Sequence, residues 1–213
     1  MFAPRWDSPA SDATNRTLAS ITLAVDSDDA DRRAIDRVRA GDKEAFRTLV
    51  ERYERPVWTL VANLLGRDHA RCEDVAQDAF VAAYRALDRY DAGRARFSTW
   101  LFAIVRNRCR TERARRREAP LADATEPRDS TTPPLLAARA EARAALDRAL
   151  DDLPLEQRAA FVLAEVCGLS GAEVATIENA PEGTIRARLS RARAALRAAL
   201  GGRGGGMDAE DRA

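Results

Sequence analysis

Arginine is concentrated where the sequence also turns. Between Glu182 and Leu200, Arg186, Ser190, Arg193 and Arg197 fall on one face of a helix, with Arg188 and Arg191 beside it. Planar guanidinium groups so arrayed fit phosphates and the paired acceptors of guanine edges in a DNA major groove. An Arg-rich helix is often no more than a solvated face, so the residues in front of it matter. Ser170 and Glu173 have the spacing of a capping box, Val174 and Ile177 point inward, and Asn179 suits a left-handed turn. Gly183 then precedes a helix whose inner stripe is Ile185, Leu189, Ala192 and Leu196. That is the pattern of a helix-turn-helix, and the coincidence of turn and charge favours DNA contact.

A second basic stripe, Arg106, Arg110, Arg113 and Arg117, is spaced by four, three and four residues, with Asn107 next to it. It suits a phosphate backbone. Tyr90, Phe97 and Trp100 lie at or before its start, where a ring can stack on an unpaired base. The same spacing serves a hydrophobic core, and both readings stand for Trp100. Upstream, Asp68, Glu73, Asp74, Gln77 and Asp78 make a contrasting acidic and polar face. Asp74 and Asp78 are one helical turn apart, but no His joins them there and many arginines compete for them, so a protein-binding face is favoured over a metal site. His69 and Cys72 lack the two further ligands that zinc needs. With one His in the chain there is no Ser-His-Asp set, and the tail glycines lack the strand and Lys-Ser/Thr of a phosphate loop. No catalytic residue, metal or cofactor is expected.

These residues need elements to position them. The 213 residues allow one or two domains, and 46% hydrophobic content is enough to give each a core. Few aromatics, abundant Ala and Arg, and almost no β-branched runs predict an all-α fold. Lys plus Arg (35) nearly cancels Asp plus Glu (34), so any affinity for nucleic acid must come from segregated charge. Cys72, Cys109 and Cys167 read as reduced thiols in a cytosol; no run reaches the length of a membrane span and no signal peptide is evident. A cytoplasmic protein is expected.

Residues 1–30 read as a disordered acidic arm, and 31–118 as a compact helical domain. In it, the stripe Phe46, Leu49, Val50, Tyr53, Val57, Leu60, Val61 and Leu64 predicts a long helix, kinked at Pro56 and ended by Gly66. Asp68 is placed to cap a second helix with Cys72, Val75, Ala76, Ala79, Ala83 and Leu87 inside, and Ser98 to cap a third, with Phe97 and Phe102 as a hydrophobic staple. Pro120, Pro127, Pro133 and Pro134 mark residues 119–134 as an extended linker. A second helical domain occupies 135–200, with a helix from Pro154 to Cys167 stopped by Gly168, and 201–213 reads as a disordered tail.

In this order the motifs resemble the extracytoplasmic-function group of bacterial sigma-70 factors. The carriers are Gly41 to Phe46, Glu73 to Phe80, Phe97 to Leu101 with Arg106 and Asn107, Leu153-Pro154, Gly168 to Ser170, and Gly183 to Arg186 followed by Arg188-Leu189 and Arg191 to Arg193. The resemblance implies a sigma-2-like domain of three or four helices and a sigma-4-like helix-turn-helix domain on a flexible linker. It implies that Asp74, Gln77, Asp78 and Phe80 dock on core RNA polymerase. Tyr90, Phe97, Trp100, Arg106, Asn107, Arg110 and Arg113 would then read and melt the minus-ten element, where a base is flipped into a pocket. Thr184, Arg186, Arg188, Ser190, Arg191 and Arg193 would read the minus-thirty-five element. The linker resembles a segment threading toward the RNA exit path, and an anti-sigma partner is implied. The family's turn carries an apolar residue, a Gly and an apolar residue where this chain has Glu178, Asn179 and Ala180, which predicts a lighter core between the two helices. A stand-alone helix-turn-helix regulator, oligomerising through its first domain, is the alternative function.

Overall fold

The structure, a computed structural model, describes residues 28–66, 68–118 and 134–201. The bulk of the expected arm, linker and tail lies outside the described residues. Those described are helical, with no strand among them: α1 (Asp28–Arg39), α2 (Ala45–Leu65), α3 (His69–Ala86), α4 (Phe97–Glu118), α5 (Pro134–Asp151), α6 (Leu155–Phe161), α7 (Gly171–Glu178) and α8 (Glu182–Gly201). A 3-10 turn at Leu87–Arg89 follows α3, and a π-helical segment at Val162–Val166 follows α6.

In the first unit, α2, α3 and α4 pack on one another and α1 lies against α2. α1 begins at Asp28, inside the segment read as an arm, because Asp31 is a buried anchor. Its carboxylate accepts from the Tyr53 hydroxyl (2.5 Å) and pairs with Arg52, while Ala34 and Ile35 enter the core. Burial and the hydrogen bond to Asp31 both push the Tyr53 hydroxyl far above its ordinary pKa, so the phenol stays a donor. α2 runs through Pro56, which is buried among side chains that offset the missing amide. Gly66 ends it at φ 85°, a conformation open to glycine. Asp68 caps α3 as expected, accepting from the Arg71 amide (3.3 Å).

The start of α4 differs from expectation. The Trp100 amide donates to the Arg96 carbonyl (3.1 Å), so the helix begins at Phe97, earlier by about half a turn than a Ser98 cap would place it. Ser98 is buried inside the first turn with no partner for its hydroxyl.

In the second unit, α8 is the spine against which α5, α6 and α7 pack. Ser170 and Glu173 form the expected capping box, Asn179 takes the left-handed conformation (φ 50°), and Gly168 (φ 70°) ends the preceding segment. The predicted helix from Pro154 does not run uniformly to Cys167: it widens into the π segment, where the Cys167 amide reaches the Val162 carbonyl.

The two units are not independent beads. Leu49, Val57, Leu60, Phe97, Phe102 and Val105 of the first share one continuous apolar cluster with Ala159, Leu163, Leu169, Val174, Ile177, Ile185 and Leu189 of the second. α7 lies on α4, and α6 lies on α2, where Arg158 donates to the Asn63 carbonyl (3.0 Å).

Candidate nucleic-acid interface

The acidic face of α3 is open. Asp74 and Asp78 are exposed and Gln77 is half-buried. With Arg71, Val75, Glu112 and Arg115 they line an open groove of about 430 Å3 between α3 and the second half of α4. Phe80 does not join them. It is buried in the core, one helical phase away from the aspartates, and supports the face from within. The cysteines offer no ligand set: Cys72 donates to the Gly66 carbonyl, and burial pushes the thiols of Cys109 and Cys167 up to about 12.

The aromatic residues proposed to stack on a base form a cluster. Tyr90 and Phe97 meet edge to face at 5.7 Å, and Trp100 lies 5.3 Å from Tyr90 and 5.7 Å from Phe97. Tyr90 and Phe97 are buried, so here they are core; their chemistry is to hold Trp100, which stays half-exposed and is the one ring of the three with a free flank. The adjoining loop is shaped by its own side chains. Tyr90 donates from its hydroxyl to the Ala95 carbonyl (3.0 Å), and Asp91 accepts from the Gly93 amide (2.8 Å). Arg39 clasps the Leu87 and Tyr90 carbonyls from α1.

The basic stripe of α4 is split. Asn107 and Arg110 are exposed, and Arg113 is spent partly on capping α2 through the Leu64 carbonyl (2.9 Å). Arg117 lies outside the residues whose side chains are described. Arg106 is buried, and its Nε and Nη2 both donate to Glu178 at 2.6 and 3.2 Å. Arg106 is four residues after Phe102 and three before Cys109, both buried, so its helical phase already signalled an inward arginine.

On α8, Ile185, Leu189, Ala192 and Leu196 are buried as the stripe predicts, and Thr184, Arg186, Ser190, Arg191 and Arg193 are exposed. Arg193 pairs with Glu165, its Nε at 3.1 Å. Arg188 is half-buried, 3.6 Å from Glu178.

Glu178 therefore does not simply lighten the core, as its place in the turn suggested. Its side chain is 4% exposed and balanced by two arginines from different helices, while Ala180 packs at the margin of the apolar cluster. Glu173 was legible as a capping residue but not as a contact between units: it also accepts from the Thr99 hydroxyl (3.0 Å) and lies 4.0 Å from Arg96. Burial raises the Glu173 carboxyl, but hydrogen bonds from Ser170 and Thr99 and the charge of Arg96 outweigh it and hold the group below its ordinary value.

Residues 49–119 match the Sigma-70 region 2 family, and residues 143–196 match Sigma-70, region 4. The RNA polymerase sigma-H factor of Pseudomonas aeruginosa is 35% identical over 182 residues, spanning 80% of this chain and 93% of that protein. The ECF RNA polymerase sigma-E factor of Escherichia coli is 36% identical over 174 residues, 76% of this chain and 90% of that one. Among solved structures, CnrH in complex with the cytosolic domain of CnrY matches with a TM-score of 0.59 at 30% identity, covering 81% of this chain and 98% of that chain. The sigma factor RpoE of Bartonella quintana, in complex with the anti-sigma factor NepR, matches with a TM-score of 0.58 at 27% identity, covering 73% and 96%. No helix among the described residues is long and apolar enough to cross a membrane. Membership displaces the stand-alone regulator reading. The chain belongs to the extracytoplasmic-function group of the sigma-70 family, and it directs promoter-specific transcription initiation by RNA polymerase without being an enzyme itself.

Proposed function

We propose that the work is divided by face. The open acidic face of α3, built on Asp74, Gln77 and Asp78, docks on core polymerase. The loop before α4, Trp100 and the polar edge of Asn107 and Arg110 read and open the minus-ten element, with Arg106 joining them when it is released from Glu178. Thr184, Arg186, Arg188, Ser190, Arg191 and Arg193 of α8 read the minus-thirty-five element. The functional domains correspond to about 31–118 and 135–200, joined by the 119–134 linker, and the protein acts in the cytoplasm.

The observation that supports this reading is that the α3 groove stays exposed while α2 and the first half of α4 are packed against the second unit. A near-neutral chain binds DNA weakly by itself, and a tether to polymerase supplies the effective concentration it lacks. Because the similar RpoE structure holds the anti-sigma factor NepR, an anti-sigma factor is also proposed for this chain. The test is retention of core polymerase by the immobilised chain. Replacing Asp74 and Gln77 together by Ala is expected to reduce retention about tenfold or more, as loss of a few interface contacts does. Undiminished retention would overturn the assignment of α3.

A further inference from the structure

Arg106 and Glu178 are 72 residues apart in sequence, yet their side chains are 6% and 4% exposed and face each other across the seam between the units. The carboxylate takes two guanidinium hydrogen bonds from α4 and has Arg188 of α8 at 3.6 Å. One acidic group thus holds an arginine from each of the two basic helices. Five residues before it on α7, Glu173 occupies Thr99 and approaches Arg96 at the start of α4. Two carboxylates thus engage donors of the kind that also bind phosphate.

A buried ion pair at a seam differs in kind from apolar packing. Both charges lose water, so the pair contributes little net adhesion, but neither charge tolerates burial alone. Here each can regain water once the units part, with no helix unfolded. The closed arrangement is also incompletely satisfied: Arg106 Nη1 is buried with no hydrogen-bond partner, a donor that an anion in the open state can satisfy. An apolar residue at 178, of the type the family's turn carries there, would fill the space without answering to charge.

We propose that Glu178 is an intramolecular latch, its carboxylate standing in for DNA phosphate on Arg106 and Arg188 and keeping both basic helices seated on α7 in the free chain. This rests on α4 and α8 being the DNA readers. Opening the seam releases one arginine to each reader in a single step, so availability of the two is coupled.

The test uses the full chain without polymerase, carrying a dye pair on Arg85→Cys and Ala194→Cys, two exposed positions on α3 and α8. Energy transfer reports closure, and fluorescence anisotropy reports binding of mixed-sequence single-stranded and duplex oligonucleotides. Glu178→Gln and Glu178→Leu are expected to lower transfer and to tighten DNA binding about tenfold or more, since affinity scales with the open fraction. Transfer and affinity equal to the parent's in both variants overturn the latch. Transfer that falls while DNA affinity stays unchanged overturns the withholding of the readers. If helicity shows that a variant has misfolded, charge exchange decides: Arg106→Glu combined with Glu178→Arg must restore the transfer lost in Glu178→Arg alone, and failure to restore it overturns the pair. Promoter-directed transcription with added core polymerase, measured separately, tests whether the chain reads DNA with these helices, so failure of that reading and failure of the latch are told apart.

Discussion

The acidic face of α3 and the basic face of α4 belong to the same helical unit, yet one is open and the other is covered by α7 as far as Arg106. The groove around Asp74 and Asp78 presents its carboxylates to solvent. The first half of α4 presents its hydroxyl and guanidinium groups to Glu173 and Glu178 instead. On the proposed division of faces, the surface for polymerase and the part of α4 around Arg106 are not exposed at the same time.

The largest difference between the two faces is expected in stability. Arg106→Met leaves Glu178 buried with only the more distant Arg188, and loss of one partner from such a pair costs about 3–5 kcal/mol. That loss is expected from the packed state, read as a lower melting temperature and a drop in transfer between α3 and α8. Asp74→Ala, on the open face of the same unit, should change stability by less than about 0.5 kcal/mol. Equal effects would mean that the seam is no more than solvated contact.

Next in size is the reader on α8. Arg186 is already exposed, so its removal should leave closure alone and lower promoter discrimination by about 1–3 kcal/mol where it meets a base edge, read in transcription with matched and scrambled upstream elements. Equal losses on both templates would limit Arg186 to the DNA backbone.

The smallest effect is a pH dependence. Glu173 is held below its ordinary value of 4.5 in the packed state. A group whose folded value is depressed contributes stability that is fully present above its unfolded value and is lost as pH falls through the folded one. Closure should therefore be insensitive to pH near neutrality, with the Glu173 contribution fully present, and weaken in the acid range as Glu173 is protonated through its depressed value, and Glu173→Gln should flatten that decline. A closure profile identical in parent and variant would show that Thr99 and Arg96 add nothing to the seam.

Much of the fold was legible because its signals are local. Ser170 and Glu173, Asp68, Gly66, Gly168 and Asn179 each act within one turn of the chain, and the stripe Ile185, Leu189, Ala192 and Leu196 repeats with the helix. What escaped depends on partners far away in sequence. Ser98 looks like a cap by type, but the Arg96 carbonyl receives the first amide bond. Tyr90 and Phe97 have the chemistry to stack on bases, and only the packed core decides that they face inward. Phe80 travels in sequence with the docking aspartates but sits on the opposite phase of α3. Glu178 stood out as a misfit in its turn, and its meaning lay in an arginine on another unit.

That the free chain holds Arg106 and Arg188 on Glu178 while its α3 face stays open is checked by energy transfer between α3 and α8 as core polymerase is titrated in without DNA. High transfer is expected in the free chain, with a saturating fall as core polymerase binds that is absent when Asp74 and Gln77 are replaced by Ala. Transfer that stays at the free-chain level on core polymerase while promoter-directed transcription proceeds would contradict it.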